Sequence, residues 1–223
     1  MSEQVFNDGA AFGSRCVDVV DIARRTLDLA LSLVLLLFLA LPMVLIAAAV
    51  QMDSGGPALF RQRRVGRDGR VFTIFKFRTM HPNCDDGRLR DLLTRELNGE
   101  DTSEGGSFKL SNDPRVTRIG RLLRRTSLDE LPQILNVVRG DMSLVGPRPC
   151  LEWEAEMFAP EFRSRFTVRP GITGLWQVSG RSELGTVDML KLDLEYVRHR
   201  TLWIDIVIML RTAPTLLRGS GAR

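Results

Sequence analysis

The stretch Leu29–Val50, LALSLVLLLFLALPMVLIAAAV, decides the architecture of this chain. It carries no charge, and only Ser32 and Pro42 interrupt its apolar run. As a straight helix it would reach roughly 33 Å, enough to cross a hydrocarbon core of roughly 30 Å. Asp8, Asp18, Asp21 and Asp28 precede it and no small-residue cleavage site follows, so it reads as a membrane helix and not as a cleavable signal. Pro42 lacks an N–H and its ring crowds the carbonyl of Phe38, which predicts a kink about two-thirds of the way along.

Outward from the run, both flanks are basic. Arg15, Arg24 and Arg25 come before it, and Arg61, Arg63, Arg64, Arg67 and Arg70 follow, with Asp68 the one nearby acid. Cationic flanks mark the cytoplasmic side of a membrane segment. Two topologies are compatible with that: a plain span with its more basic C-terminal side inside, and a re-entrant hairpin with both ends cytoplasmic.

The chain has 223 residues, 31 Lys and Arg against 27 Asp and Glu, and a net charge of +4. Hydrophobic residues make up 44% and charged residues 26%, which excludes a disordered chain, a collagen-like repeat and a multi-pass membrane protein. The length suits one ordinary domain with an attached element, divided as a 1–53 N-terminal segment with the membrane helix and a 54–223 cytosolic domain. All the cations are Arg except Lys76, Lys109 and Lys191. Arg favours bidentate contact with phosphate or carboxylate. Cys16, Cys84 and Cys150 are far apart, so neither a disulfide framework nor a zinc site is indicated.

Beyond the run, VFTIFKFRTM over Val71–Met80 predicts a strand with Lys76 and Arg78 on one face. Helices are expected over Asp85–Leu97 and Arg115–Arg125, the second with a dense cationic surface, and a loop over Asn98–Asn112. A further helix follows Pro132, then a turn at Gly146–Pro149, a helix over Glu152–Phe166 and a loop over Pro170–Gly180. Two helices close the chain. The last, Thr201–Leu217, places Trp203, Ile206, Val207 and Leu210 on one side, and either packs in the core or lies in the membrane interface. The fold class is mainly α with little β.

The chemistry concentrates in Arg124-Arg125-Thr126-Ser127-Leu128-Asp129-Glu130-Leu131-Pro132. Ser127 and Glu130 have capping-box spacing. A helix capped at Ser127, however, puts Pro132 where its N–H is already needed. A start nearer Leu131 leaves Asp129 and Glu130 just ahead of the helix, free to face a ligand. For phosphoryl chemistry one acid can attack phosphorus while its neighbour holds a hard cation. In Gly146-Pro147-Arg148-Pro149 the two prolines present Arg148 with little freedom to lose on binding.

Three stretches, KFRTM (Lys76–Met80), NDPRVTRIGRLLRRTSLDELPQILNVVRGDMSLVGPRP (Asn112–Pro149) and VRPGITGLWQVSGR (Val168–Arg181), together resemble the bacterial sugar transferases, the monotopic polyprenyl-phosphate phosphoglycosyl transferases. The resemblance implies transfer of a sugar 1-phosphate from a UDP-sugar, galactose or glucose by the wording GLWQVSGR, to undecaprenyl phosphate. UMP is released, and this is the first membrane step of exopolysaccharide or related glycan assembly. It implies Asp129 as nucleophile carrying a covalent phosphosugar, Glu130 as its partner acid binding Mg2+, and Arg124 and Arg148 as phosphate-holding positions. Lys76 is implied to lie near the site, and Arg78 of the same KFRTM motif is a further candidate for substrate binding. It also implies a re-entrant helix broken at Pro42, a small α/β catalytic domain with interfacial amphipathic helices, and placement on the cytoplasmic face of the bacterial inner membrane. One departure is that Leu41-Pro42 stands where the family often has Ser-Pro. The rival classes are a non-catalytic Arg-rich adaptor for anionic lipid or a protein partner, and a nucleotide-sugar pyrophosphatase using water as acceptor. Nucleic-acid binding is disfavoured by the membrane segment.

Overall fold

The computed structural model describes residues 19–81, 87–100, 102, 115–180 and 184–218. The apolar run lies within a longer helix, α1 (Val19–Ser54), which continues through Pro42. A mid-helix proline removes one donor, and the Leu- and Ala-rich neighbours on both sides propagate the helix across it. The expected helix-break-helix is therefore one continuous element of 36 residues, about 54 Å along its axis.

Both ends of α1 are docked on the rest of the chain. Near its start, Arg24 Nε lies 2.8 Å from Asp205 Oδ2 and Arg25 donates to the carbonyls of Val137 and Val138 at 2.6 and 2.9 Å. One turn on, Asp28 accepts from Ser143 Oγ and the Leu144 N–H. Near its end, Val50 is buried with Ala58, Phe77 and Leu123, and Asp53 accepts from the Ile119 N–H at 3.0 Å. Between the docked ends Leu33, Leu37, Phe38, Leu41, Val44 and Leu45 are exposed, Leu37 to 78%. A contiguous apolar surface of this kind marks contact with a membrane or a partner.

The rest is mostly helical with two small sheets. Strand β1 (Leu59–Val65) pairs antiparallel with β2 (Val71–Phe77) across a tight turn in which Asp68 and Gly69 have positive φ. Strand β3 (Ser143–Val145) pairs parallel with β4 (Gly171–Thr173). β1 occupies the segment expected only as a basic flank. β2 stops at Phe77, short of the expected Met80, which instead bridges Val116. α2 (Gly87–Leu97) is where the periodicity put it, and Glu96 ties it to α7 (Thr186–His199) by accepting from the Thr186 N–H. α3 (Arg118–Thr126) starts later than expected because Thr117 caps it, accepting from the Gly120 N–H.

The helix expected over Glu152–Phe166 is divided. α5 (Glu152–Met157) ends before Pro160, and a 3₁₀ segment, Pro160–Thr167, follows. The expected loop Pro170–Gly180 holds β4 and α6 (Leu175–Ser179). The final helix, α8 (Leu202–Arg218), turns Asp205 and Ile208 inward while Trp203 and Leu210 are about 70% exposed. Of the two placements expected for that helix, one side packs in the core, with Ile208 buried and Ile204 and Met209 against the same cluster, while Trp203 and Leu210 are left facing outward. Most of the expected loop Asn98–Asn112, and Cys16 and Cys84, lie outside the described residues; Cys150 is a buried free thiol.

Candidate active site

Ser127 ends α3 in the left-handed conformation, φ 56°, and turns the chain into a 3₁₀ segment, Leu128–Gln133, that leads into α4 (Ile134–Arg139). Asp129 and Glu130 therefore sit ahead of α4, as the position of Pro132 suggests. The Ser127–Glu130 capping box does not form, because the Ser127 side chain makes no cap bond. The Glu130 side chain reaches instead to β2, where Lys76 Nζ lies 2.9 Å from its Oε1. Gln133 donates to its other oxygen, and Arg148 Nη1 stands 4.0 Å from Oε1.

Asp129 is treated differently. Its carboxyl takes a hydrogen bond from its own backbone N–H and has no ion pair with another described residue. Burial first, and then the neighbouring Glu130 charge, push its carboxyl up to about 6, against the pull of Lys76 and Arg124. Burial works against the Glu130 charge too, but Lys76 and Arg148 outweigh it and hold that carboxyl down at about 2. Lys76 is itself lowered by burial, with Glu130 opposing. Two adjacent acids are thus driven apart: one is held as an anion by Lys76 and Arg148, while the other is raised to about 6 and takes a hydrogen bond only from its own backbone. Divergent environments of this sort assign different chemical roles to paired carboxylates.

A small open cleft, with an enclosed volume of about 10 Å³, lies beside Glu130 and is lined by Arg64, Ile74, Lys76, Glu130, Gln133, Arg148, Pro149, Gly171, Ile172 and Gln177. The Arg148 guanidinium carbon lies 5.9 Å from the Trp176 ring centre. Among the residues singled out from sequence, Lys76, Glu130 and Arg148 line this cleft; Asp129 does not line it and is tied to the group through its charge interactions with Glu130 and Lys76. Arg124 acts on Asp129 electrostatically and donates to Thr79 Oγ1 at 3.0 Å. Arg78 is not brought to the acids by any of its hydrogen bonds: it is buried and donates to Ser54 Oγ and the Gly55 carbonyl, clasping the end of α1. Pro42 is exposed within the apolar stretch of α1. Arg64, Gln133 and Gln177 were missed. Arg64 shows its place only once β1 is paired with β2, whose register puts Phe60, Gln62 and Arg64 on the face that Lys76 and Phe72 share.

No group of three or more His, Cys, Asp and Glu side chains that could hold a metal exists among the described residues. A cation here would rest on the Asp129–Glu130 pair, with substrate oxygens and water completing its shell, which is the usual manner of Mg2+. The pair offers the carboxylate oxygens that Mg2+ takes, but both Glu130 oxygens already meet Lys76, Arg148 and Gln133, which an ion would have to displace or share.

One carboxylate, one ammonium and two guanidinium groups line this cleft, in a chain that also carries a helix long and apolar enough to cross a membrane; guanidinium groups so placed suit phosphate oxygens. Comparison with known proteins agrees: residues 19–219 match the bacterial sugar transferases, and the chain belongs to that family. It is 43% identical to the undecaprenyl-phosphate galactose phosphotransferase of Salmonella typhimurium, over 89% of this chain and 41% of that protein. It is 42% identical to the UDP-glucose:undecaprenyl-phosphate glucose-1-phosphate transferase of Caulobacter vibrioides, over 91% and 73%. It is 41% identical to the exopolysaccharide production protein ExoY of Rhizobium meliloti, over 90% and 88%. The chain spans less than half the length of several of the curated relatives it matches, the Salmonella protein among them.

Proposed function

We propose that the protein transfers a sugar 1-phosphate from UDP-galactose or UDP-glucose to undecaprenyl phosphate, releasing UMP, at the start of exopolysaccharide assembly. The observation that carries the chemistry is the split between the two acids. In the first step an Asp129 oxygen bonds to the β-phosphorus, the bond from that phosphorus to the bridging oxygen breaks, and UMP leaves with the electron pair. In the second, an oxygen of undecaprenyl phosphate attacks the same phosphorus and returns the Asp129 carboxylate. Lys76 and Arg148 face the charge of the diphosphate, and Arg124 favours the ionised form of Asp129. Glu130 would hold Mg2+, which when bound neutralises charge on the diphosphate.

The names of the relatives support the two sugars and the lipid acceptor. The docking of both ends of α1 on one domain argues against a plain span, whose ends would lie on opposite sides of the bilayer; entry and exit on one face would require α1, which runs on through Pro42, to bend. The basic flanks support a position of both ends and the cleft at the cytoplasmic face of the inner membrane.

The test uses the protein in lipid nanodiscs with sugar-labelled UDP-galactose or UDP-glucose and no lipid acceptor. Label is expected on the polypeptide together with about one equivalent of UMP, to be released by hydroxylamine and to be absent from Asp129→Asn. Turnover by the wild type without any trapped label, together with turnover by Asp129→Asn, would refute the covalent route.

A further inference from the structure

Arg148 stands outward from a buried turn. Gly146, Pro147, Pro149 and Cys150 are buried, whereas Arg148 is exposed and lines the cleft. The flanking prolines have no N–H, so the turn has few donors of its own to hold its shape. Its carbonyls are held from outside instead. Pro147 O accepts from the Gly171 N–H at 2.9 Å, Arg148 O from Arg165 Nη2 at 2.8 Å, and Pro149 O from Arg64 Nη1 at 3.2 Å.

The middle anchor is the most elaborate. Arg165 and Asp193 are a buried pair, their side chains 5% and 3% exposed, with Nη2 and Nε at 2.6 and 3.2 Å from one carboxylate oxygen. The guanidinium lies between the rings of Phe158 and Phe166, 5.3 and 5.4 Å from their centres. In such surroundings apolar residues of similar volume serve a fold as well as an ion pair does, or better. What they lack is an N–H for the carbonyl of Arg148.

We propose that Arg165, oriented by Asp193, is a positioning residue that fixes the direction in which Arg148 meets the phosphate groups of the substrate. The inference rests on reading the cleft as a diphosphate site and adds what aims its most exposed cation. Arg165 acts through a single hydrogen bond to the backbone from which Arg148 projects. A guanidinium carried on a free loop loses backbone as well as rotamer freedom when it binds, and the anchored turn avoids the first of these losses.

Two variants test it, Arg165→Lys and the apolar pair Arg165→Met with Asp193→Leu. Each is made in the wild-type and in the Arg148→Ala background. UMP release is measured with undecaprenyl phosphate and whichever of UDP-galactose and UDP-glucose the wild type turns over, with thermal unfolding alongside. In the wild-type background kcat/KM should fall about tenfold, mostly through KM for the UDP-sugar. In the Arg148→Ala background the further loss should be under about twofold, because the group being aimed is gone. A role confined to stability lowers both backgrounds by the same factor, and that result overturns the inference, as does full activity in a folded apolar pair. Arg165→Lys keeps the charge and carries the test if the apolar pair fails to fold. Normal turnover by Arg148→Ala alone overturns the diphosphate reading and this inference together, whereas equal losses in both backgrounds overturn the inference alone.

Discussion

Replacing Asp129 by Asn should abolish sugar phosphate transfer and at the same time make the protein more stable. The folded chain raises the Asp129 carboxyl from an ordinary value of 3.8 to about 6. A rise of roughly two pKa units is worth at most about 3 kcal/mol of unfavourable native-state charge. The sign follows from proton binding. Below about pH 4 the group is protonated in both states and the penalty is absent. Between about pH 4 and pH 6 the unfolded chain ionises while the native one keeps its proton, so wild-type stability falls as pH rises; above about 6 the loss is complete. Asn carries no charge and escapes this loss. The variant should therefore gain up to about 3 kcal/mol at pH 7.5 and about half of that gain at pH 5, which raises Tm by up to roughly 12 °C at the higher pH for a chain of this size. Thermal unfolding followed by circular dichroism in nanodiscs at the two pH values measures it. An Asn variant no more stable than wild type at pH 7.5, or equally stabilised at both pH values, would refute the assignment of Asp129 as the strained carboxyl.

The same raised carboxyl places the acid limb of kcat/KM near pH 6, with activity increasing as Asp129 loses its proton; Arg124→Ala removes a cation that favours the ionised form, so the limb should move to higher pH, and a pH profile of UMP release that stays put would disprove that coupling. A Cβ on Gly171 would lie 2.1 Å from the Gly146 nitrogen. Gly171→Ala should therefore cost about 3 kcal/mol or more and lower Tm and turnover together, and wild-type values of both would show that the turn and β4 separate freely. In a cysteine-free background, Ile22→Cys and Met52→Cys, both at exposed positions near the ends of α1, should resist a membrane-impermeant thiol reagent in intact spheroplasts and react after lysis. Reaction of either before lysis contradicts a re-entrant placement.

The readable parts of the sequence were those with a strong local cause. An uncharged run announces its helix, and Pro132 so close behind Asp129 and Glu130 announces that the acids precede α4. The hidden parts were set by distant partners. LFRQRRV looks like a basic membrane flank until β2 is laid beside it; only then do the alternate arginines part, with Arg61 and Arg63 outward and Arg64 in the cleft. β3 and β4 are three residues each, too short for any periodicity to register. Pro160 gave a fair warning that the helix over Glu152–Phe166 would divide. Arg78 shares a motif with Lys76, yet its bonds are made to the end of α1, a contact that no spacing within KFRTM encodes. The separation of the two carboxyls, likewise, depends on Lys76 arriving from more than fifty residues away.

The double docking of α1 has a mechanical consequence. A helix joined to its domain by one link answers a thinner or thicker bilayer by tilting on its own, at modest cost. Here ion pairs and buried side chains bolt α1 down at Arg24 and again at Val50 and Asp53. It has no independent hinge, so any lean imposed by the lipid is delivered to the whole catalytic body.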